Sequence, residues 1–378
     1  MVPRSEYEER QQRTRHRAAA LGLSALVCVS GPFYERPGDV AYLCGHFPPF
    51  PTSEGDGEVA GTGHAVLVLD RERTVLLVDT PCYREDLVVA SEVRVARDLW
   101  REAARLLERA SGPLGCVGWD RLPAEGLEAL RAAAPGLVRA DDVVRALRRR
   151  KSPLEVELLR AACACAREAL LASAASCLAG VSEREVSARG VAAGFLAGAD
   201  FVRYLRVHSG PWSAWPTRWP PATDRLLEKG DLVLLDAVGA RSGYAFDVGR
   251  TSLVGFDALP WQRRLLEATQ KALGRALEAI RPGKRAGDVA AAVLAAYEAA
   301  GLREHASPFV GHGIGIETVE APLLREGSQQ VLQEGAVLCV EPGVYVPGRG
   351  GACVEEVVVV VEGGCEVLSA TVPRRLWE

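Results

Sequence analysis

Two apolar runs separated by a short turn constrain this chain more than any other feature. The stretch Gly230-Asp231-Leu232-Val233-Leu234-Leu235-Asp236-Ala237-Val238-Gly239 is almost continuously apolar from Asp231 to Val238. It predicts a buried strand that carries Asp236 near its end. An Arg241-Ser242-Gly243 turn leads into Tyr244-Ala245-Phe246-Asp247-Val248-Gly249-Arg250-Thr251, a second strand-like run that carries Asp247. So short a turn makes the runs antiparallel neighbours, and both carboxylates can then face one point. Two unpaired carboxylates buried that close are costly by ordinary desolvation, unless one holds a proton or a cation sits between them. By itself the stretch allows two readings, a solvated hairpin with incidental Asp residues or a divalent-metal site.

At 378 residues the chain is too long for one ordinary core, and two domains are expected, three at the outside. Apolar residues at 48% and charged residues at 25% fit a soluble globular protein that buries a sizeable core. A net charge of -4 argues against a nucleic-acid or anionic-membrane surface. No apolar run approaches ~18 residues without a charge, so no transmembrane helix is expected. The segment from Met1 to Arg17 is rich in Arg and Glu and lacks the apolar centre of a secretory signal. The ten Cys are scattered with no CxxC pair, several inside apolar runs (Cys28, Cys44, Cys163, Cys165, Cys339). That usage predicts reduced core thiols and a cytoplasmic location.

From about Arg15 the chain reads as an α/β unit. Ala25–Val29 and Val40–Leu43 predict short buried strands, and residues 45–63 a long loop. Ala65–Leu69 and Thr74–Val78 predict a hairpin, with helices following at about 93–110 and 123–134. A small amino-terminal α/β domain is expected over 1–147. Arg148-Arg149-Arg150-Lys151-Ser152-Pro153 reads as the junction, with Ser152 as N-cap and Pro153 opening a helix to about Leu178. Ser182-Glu183-Arg184-Glu185 is a capping box for the next helix. Trp261–Ile280 predicts another long helix, and Asp288 caps one that runs to about Ala300. Helix, break, capped helix and strands thus occur twice within 152–378, which hints at an internal duplication.

Three further stretches supply metal-compatible groups. Val310-Gly311-His312-Gly313-Ile314-Gly315-Ile316 sets a His between glycines, which let backbone approach a ligand closely. Val337-Leu338-Cys339-Val340-Glu341-Pro342-Gly343 ends an apolar strand in Glu341, and Glu355 stands just before the β run Val357–Val361. Each has an ordinary alternative as a hydrogen-bonded loop His or a solvated strand-end Glu. The recurrence of carboxylates at strand ends in a domain built to bury apolar surface favours chemistry.

In that order and those contexts, Asp236, Asp247, His312, Glu341 and Glu355 resemble the pita-bread metallopeptidase family of aminopeptidase P, prolidase and methionine aminopeptidase, which has creatinase as a non-metal relative. The eleven-residue Asp236–Asp247 separation, Gly-His-Gly-Ile-Gly, Glu-Pro-Gly and Val-Glu-Glu are similar to that family's motifs. The resemblance covers residue 152 to the end. More loosely, Arg15–Leu147 resembles the amino-terminal domain of the prolidase branch, including Asp39-Val40-Ala41-Tyr42-Leu43-Cys44-Gly45. It implies an α+β pita-bread catalytic domain preceded by a smaller α/β domain, and a homodimer. It also implies that Asp236 and Asp247 hold two divalent ions with Glu355 bridging, His312 on one ion and Glu341 beside them as general base. Mn, Co, Fe or Zn suit such an oxygen-rich set with one imidazole. The implied reaction is hydrolysis of a C–N bond in a small peptide-like or amide substrate, through a metal-bridging hydroxide. A creatinase-like amidinohydrolase, a metal-dependent lyase and a catalytically silent binding module are the alternatives.

The substrate positions depart from that family. Its prolyl peptidases carry a His seventeen residues before the first Asp and another seven after the metal His; here these are Trp219 and Val319. The family Arg two residues before the second Glu is Cys353 here. Three of the seven Trp (Trp212, Trp215 and Trp219) fall within eight residues beyond a strand that carries Tyr204, Arg206 and His208. This segment reads either as a Pro-rich loop packed by its own aromatics or as an aromatic wall for a cationic or ring-shaped substrate. Trp219, Val319, Trp215, Tyr204 and Arg206 are the candidate substrate contacts. His208, a spare imidazole on the face shared by Arg206 and Tyr204, is a second candidate catalytic group beside Glu341.

Overall fold

The computed structural model describes residues 2–34, 36–49, 63–110, 112–255 and 257–378. The chain divides into two compact units, Met1–Arg148 and Arg149–Glu378. No helix among the described residues is long and apolar enough to cross a membrane.

In the first unit, α1 (Arg4–Ala20), β1 (Ala25–Ser30), α2 (Gly38–Cys44), β2 (Ala65–Leu69), β3 (Thr74–Val78) and β4 (Glu92–Val95) come first. They are followed by α3 (Leu99–Leu107), β5 (Leu114–Val117), α4 (Ala124–Ala133), β6 (Val138–Arg139) and α5 (Asp141–Arg149). The strands form one sheet in the order β4-β3-β2-β1-β5-β6. Alternate residues Val27, Val29, Val66, Val68, Val75 and Leu77 pack against Leu99, Trp100 and Leu106 of α3, the period-2 pattern of a sheet face covered by a helix. The predicted strand Val40–Leu43 is instead part of α2. Pro37 precedes that helix and Gly45, at φ 74°, ends it. All seven of its residues are buried, and a short apolar run buried all round has no period that separates helix from strand. The helix predicted from residue 93 starts later. Glu92–Val95 pairs parallel to β3, and Asp98 caps α3 by accepting from Arg101 N at 2.9 Å. Most of the predicted loop 45–63 lies outside the described residues.

The second unit opens with α6 (Pro153–Ala175) and α7 (Glu183–Leu196), then β7 (Phe201–Ser209), β8 (Leu232–Arg241) and β9 (Tyr244–Leu253). A second helix pair, α8 (Pro260–Ala279) and α9 (Ala286–Ala299), precedes β10 (Phe309–Gly313), β11 (Glu320–Arg325) and β12 (Val337–Val340). The chain ends with β13 (Gly343–Val346), β14 (Gly350–Cys353), β15 (Glu356–Val361) and β16 (Gly364–Val367). Ser152 and Ser182 form full capping boxes with Glu155 and Glu185. Asp288 is not the cap of α9 but its third residue, and its carboxylate accepts from Arg285 N at 3.1 Å. Three sheets result, β7-β8-β9, β11-β10-β12-β15-β16 and β13-β14. The two larger ones are tied where Glu355 N donates to Gly249 O at 2.9 Å. Helices α8 and α9 cover the second sheet through Leu266, Leu273, Val289, Val293 and Tyr297.

Candidate metal centre

The turn between β8 and β9 is only Ser242-Gly243, with φ of 53° and 76°, the positive-φ pair that suits a tight hairpin. It fixes the register at Asp236↔Gly249 and Val238↔Asp247, so the two carboxylates are diagonal neighbours on one face. Asp236 lies in the middle of β8 rather than near its end. Gly249, opposite Asp236, leaves room for Glu355: a Cβ there would stand 2.5 Å from Glu355 Cδ. Asp236, Asp247 and Glu355 consequently bring carboxylate oxygens within 4.8 Å of one another.

From the second sheet come His312 and Glu341. His312 Nε2 is 3.4 Å from Asp247 Oδ2 and 3.5 Å from Glu341 Oε1. His312 Nδ1 lies 2.9 Å from Gly313 O; donation there places the proton on Nδ1 and turns the Nε2 lone pair toward the acids. The glycine before His312 serves the sheet rather than a ligand, because a Cβ on Gly311 would stand 2.2 Å from Cys339 O. All five residues expected at the centre are thus brought together.

The electrostatics are those of a buried acidic cluster. Burial first, then the neighbouring Asp247, pushes the Asp236 carboxyl up to about 7, against the pull of Arg206. Burial raises Glu341 to about 8, with Asp247 and Asp236 adding to it and His312 opposing. Glu355 is raised well above the usual carboxylate range by burial and then by Asp236, Asp247 and Glu341. Burial works against a charged His312, yet the hydrogen bond with Asp247 and the Glu341 charge carry its pKa up to about 9. Asp236 Oδ1, Glu341 Oε1 and Glu355 Oε2 are buried without a hydrogen-bond partner among the described residues. Orphaned carboxylate oxygens converging with an imidazole nitrogen are the donor set of a divalent cation. The residues fit a metal.

Several contributors were not legible beforehand. Arg250, fully buried, donates from Nη1 to Gly249 O at 2.8 Å and also to Glu355 O. Its Nη2 is 3.2 Å from Glu356 Oε1 and its Nε 2.8 Å from Pro373 O. It thereby clamps the backbone that carries Glu355. Cys339, expected only as a core thiol, is directly paired with His312 in the ladder. Its Sγ lies within 4.8 Å of ligand atoms of His312 and Asp247. The signal was available, since residues 339 and 341 share a strand face.

The candidate substrate residues divide. Arg206 stands directly opposite Asp236 and Tyr204 opposite Val238; Arg206 Nη1 donates to Asp236 Oδ2 at 2.7 Å. His208 is not a spare imidazole. Its Nδ1 is 2.9 Å from Trp215 O and its Nε2 3.2 Å from Pro220 O, and the residue is buried. Both nitrogens therefore face backbone carbonyls of the Trp-rich segment, which corrects the catalytic expectation. The Trp215 ring meets a cation of this chain, Arg218 Cζ at 4.1 Å. Trp219 is 88% exposed and so does not fill a buried volume, and Val319 is exposed as well. Cys353 is buried, with its backbone N and O both bonded to Thr251 Oγ1.

The family of this architecture is identifiable. The description of metallopeptidase family M24 matches residues 157–362, and that of the creatinase/prolidase N-terminal domain matches residues 10–150. An Xaa-Pro dipeptidase of Pyrococcus furiosus is 33% identical over 234 residues, 62% of this chain and 66% of that enzyme. The probable dipeptidase PepE of Mycobacterium tuberculosis is 35% identical over 256 residues, 67% of either protein. Among solved structures, the prolidase from Pyrococcus horikoshii matches with a TM-score of 0.81 at 25% identity, covering 96% of this chain and 98% of that one. Dipeptidase PepE from Mycobacterium ulcerans matches with a TM-score of 0.80 at 30% identity, covering 97% and 96%. The chain belongs to metallopeptidase family M24, a pita-bread metal-dependent hydrolase domain joined to a creatinase/prolidase amino-terminal domain.

Proposed function

We propose that this protein hydrolyses small peptides with two divalent ions held by Asp236, Asp247, His312, Glu341 and Glu355. The observation that carries the reading is the set of three buried carboxylate oxygens, Asp236 Oδ1, Glu341 Oε1 and Glu355 Oε2, that lack a hydrogen-bond partner among the described residues, with Glu341 Oε1 3.5 Å from His312 Nε2. Bound divalent ions would supply a water of lowered pKa and Lewis-acid polarisation of the scissile carbonyl. Mn, Co, Fe and Zn all suit the donor set. Glu341 is the general base: its Oε1 accepts the proton of the attacking water and returns it to the leaving amine nitrogen. The Nδ1 contact to Gly313 O keeps His312 in one orientation. Arg206 holds Asp236 Oδ2 and leaves Oδ1 to face the cluster.

Xaa-Pro dipeptides are not the preferred substrates in this reading, because neither Trp219 nor Val319 offers the imidazole donors of prolyl peptidases. A missing donor of that kind costs about 100–1000-fold in turnover where an enzyme depends on it. The ten free thiols support a reducing compartment such as the cytoplasm. The prolidase-type architecture supports a homodimer.

Metal analysis together with a peptide panel tests the reading. Protein equilibrated with Mn, Co, Fe or Zn should hold about two ions per chain and cleave non-prolyl dipeptides faster than Gly-Pro or Ala-Pro. Asp247→Ala and Glu355→Ala should each lose metal and about a thousandfold or more in activity. Protein that holds no ion in excess metal sinks the hydrolase reading, and rapid Gly-Pro turnover sinks the claim about proline.

A further inference from the structure

Arg206 adds a charge of its own to the metal centre. It projects from β7 directly opposite Asp236, and its side chain is only 15% exposed. Its Cζ lies 4.7 Å from the centre of the Tyr204 ring, and its Nε is buried with no partner among the described residues. Asp236 and Tyr204 contact it, and Glu355 and Glu341 act on it through their charge. Tyr204 stays a hydroxyl donor near neutral pH, since burial and then Asp236 raise its pKa well above the ordinary value.

On the two-ion reading above, Asp236 is shared between the ions and Arg206 Nη1, and Arg206 Nε stays a buried donor with no partner among the described residues. A guanidinium so placed favours a further anion within its reach, because its remaining donors are met better by a carboxylate than by a neutral group. We infer that Arg206, aided by the Tyr204 hydroxyl, makes this site select peptides that carry a carboxylate beside the scissile bond. That carboxylate has two sources, the acidic side chain of an N-terminal Asp or Glu residue and the C-terminal carboxylate of a dipeptide. A guanidinium stacked on a ring and hydrogen-bonded to Asp236 is held in place beforehand, so the selection appears chiefly in KM.

Matched pairs of substrates test this in the metal-loaded full-length protein. Asp-Ala against Asn-Ala and Glu-Ala against Gln-Ala probe the side-chain source; Ala-Ala against its carboxamide probes the terminal source. The acid member of at least one pair should show a kcat/KM about tenfold or more above its neutral partner, and the pair that responds names the source. In Arg206→Leu that ratio should collapse toward unity through KM. Arg206→Gln should collapse it too while keeping a donor, and Arg206→Lys should retain part of it. Ratios near unity in the wild type, or a ratio that survives Arg206→Gln, overturn the inference. If no peptide is cleaved, the hydrolase reading fails separately, and ligand-induced melting shifts decide the anion question. Succinate should then stabilise metal-loaded wild type more than succinamide does, with the difference lost in Arg206→Gln. Equal shifts overturn it.

Discussion

Asp236, Asp247 and Glu355 are each less than a tenth exposed and lie on or beside hydrogen-bonded strands, whereas Trp212 and Trp219 are 53% and 88% exposed. The acidic centre takes its geometry from ladder register: a two-residue turn sets Asp236 diagonal to Asp247, and Gly249 admits Glu355 beside them. The Trp-rich segment after β7 is held from below instead. His208 sets its two ring nitrogens against two of its carbonyls, and Ser213 Oγ donates to Gly210 O and accepts from Gly351 N. The contrast separates two kinds of residue. Groups that violate the burial rules are fixed by the fold for chemistry, and large apolar groups left in water are free to differ from relatives without cost to the fold.

The sharpest way to break the comparison is to disturb the centre without touching a carboxylate. Arg250 and Glu356 are both fully buried and paired, and Arg250 also holds the carbonyls of Gly249 and Glu355. Arg250→Met leaves Glu356 uncompensated except for Arg374, whose Nε is 2.8 Å from Glu356 Oε1. Breaking a buried pair of this kind costs about 3–5 kcal/mol. Denaturant unfolding should show that loss, and metal titration should show weaker binding because Glu355 loses its backbone clamp. A variant within about 1 kcal/mol of wild type, with unchanged metal binding, would show that register alone fixes the centre.

How much of this could be read beforehand follows the same division. The five converging positions are legible because carboxylates inside apolar strands are rare enough to stand out, and their order resembles that of a family. Arg250 is not, since an Arg three residues before a strand's end reads as solvated until its partners on β15 and the carboxyl-terminal segment are known. The failure at α2 has a different cause: uniform burial erases periodicity. The helix α1 escaped notice because its buried face is polar. Gln11 Nε2 donates to Leu43 O and Val89 O, and Arg10 Nη1 donates to Tyr42 O, so no apolar stripe marks it. The partners of His208 are backbone carbonyls in a loop, and the identity of a loop's residues does not reveal where its carbonyls point.

A pH titration sharpens the contrast from the electrostatic side. Asp236 at about 7, Glu341 at about 8 and His312 at about 9 are all raised above their unfolded values. The metal-free native state therefore binds more protons than the unfolded chain between roughly pH 4 and 9. Its stability contribution is fully present below the unfolded carboxylate values and is lost as pH rises through the folded ones. The melting temperature of metal-free protein should fall as pH goes from 5 to 9, and metal uptake should release protons over that range. Metal-loaded protein, with the protons already displaced, should show a much flatter profile. A metal-free melting temperature that rises with pH across this range would contradict the assigned burial of the acids.

The smallest effects should come from the Trp-rich segment, and there they should split by depth. His208→Ala removes the partner of Trp215 O and Pro220 O in a buried place, which costs about 1–3 kcal/mol, and it should leave metal content unchanged. Trp219→Ala removes a ring that is 88% exposed, so its effect on stability should lie within about 0.5 kcal/mol. If the exposed ring touches substrate, the Trp219 variant changes KM at constant melting temperature; if it only caps the loop, neither quantity moves. Paired thermal melts and Michaelis curves on the two variants read both differences at once. Equal destabilisation by the two substitutions would mean that the segment is one packed unit, and the distinction drawn between its anchor and its exposed rings would fall.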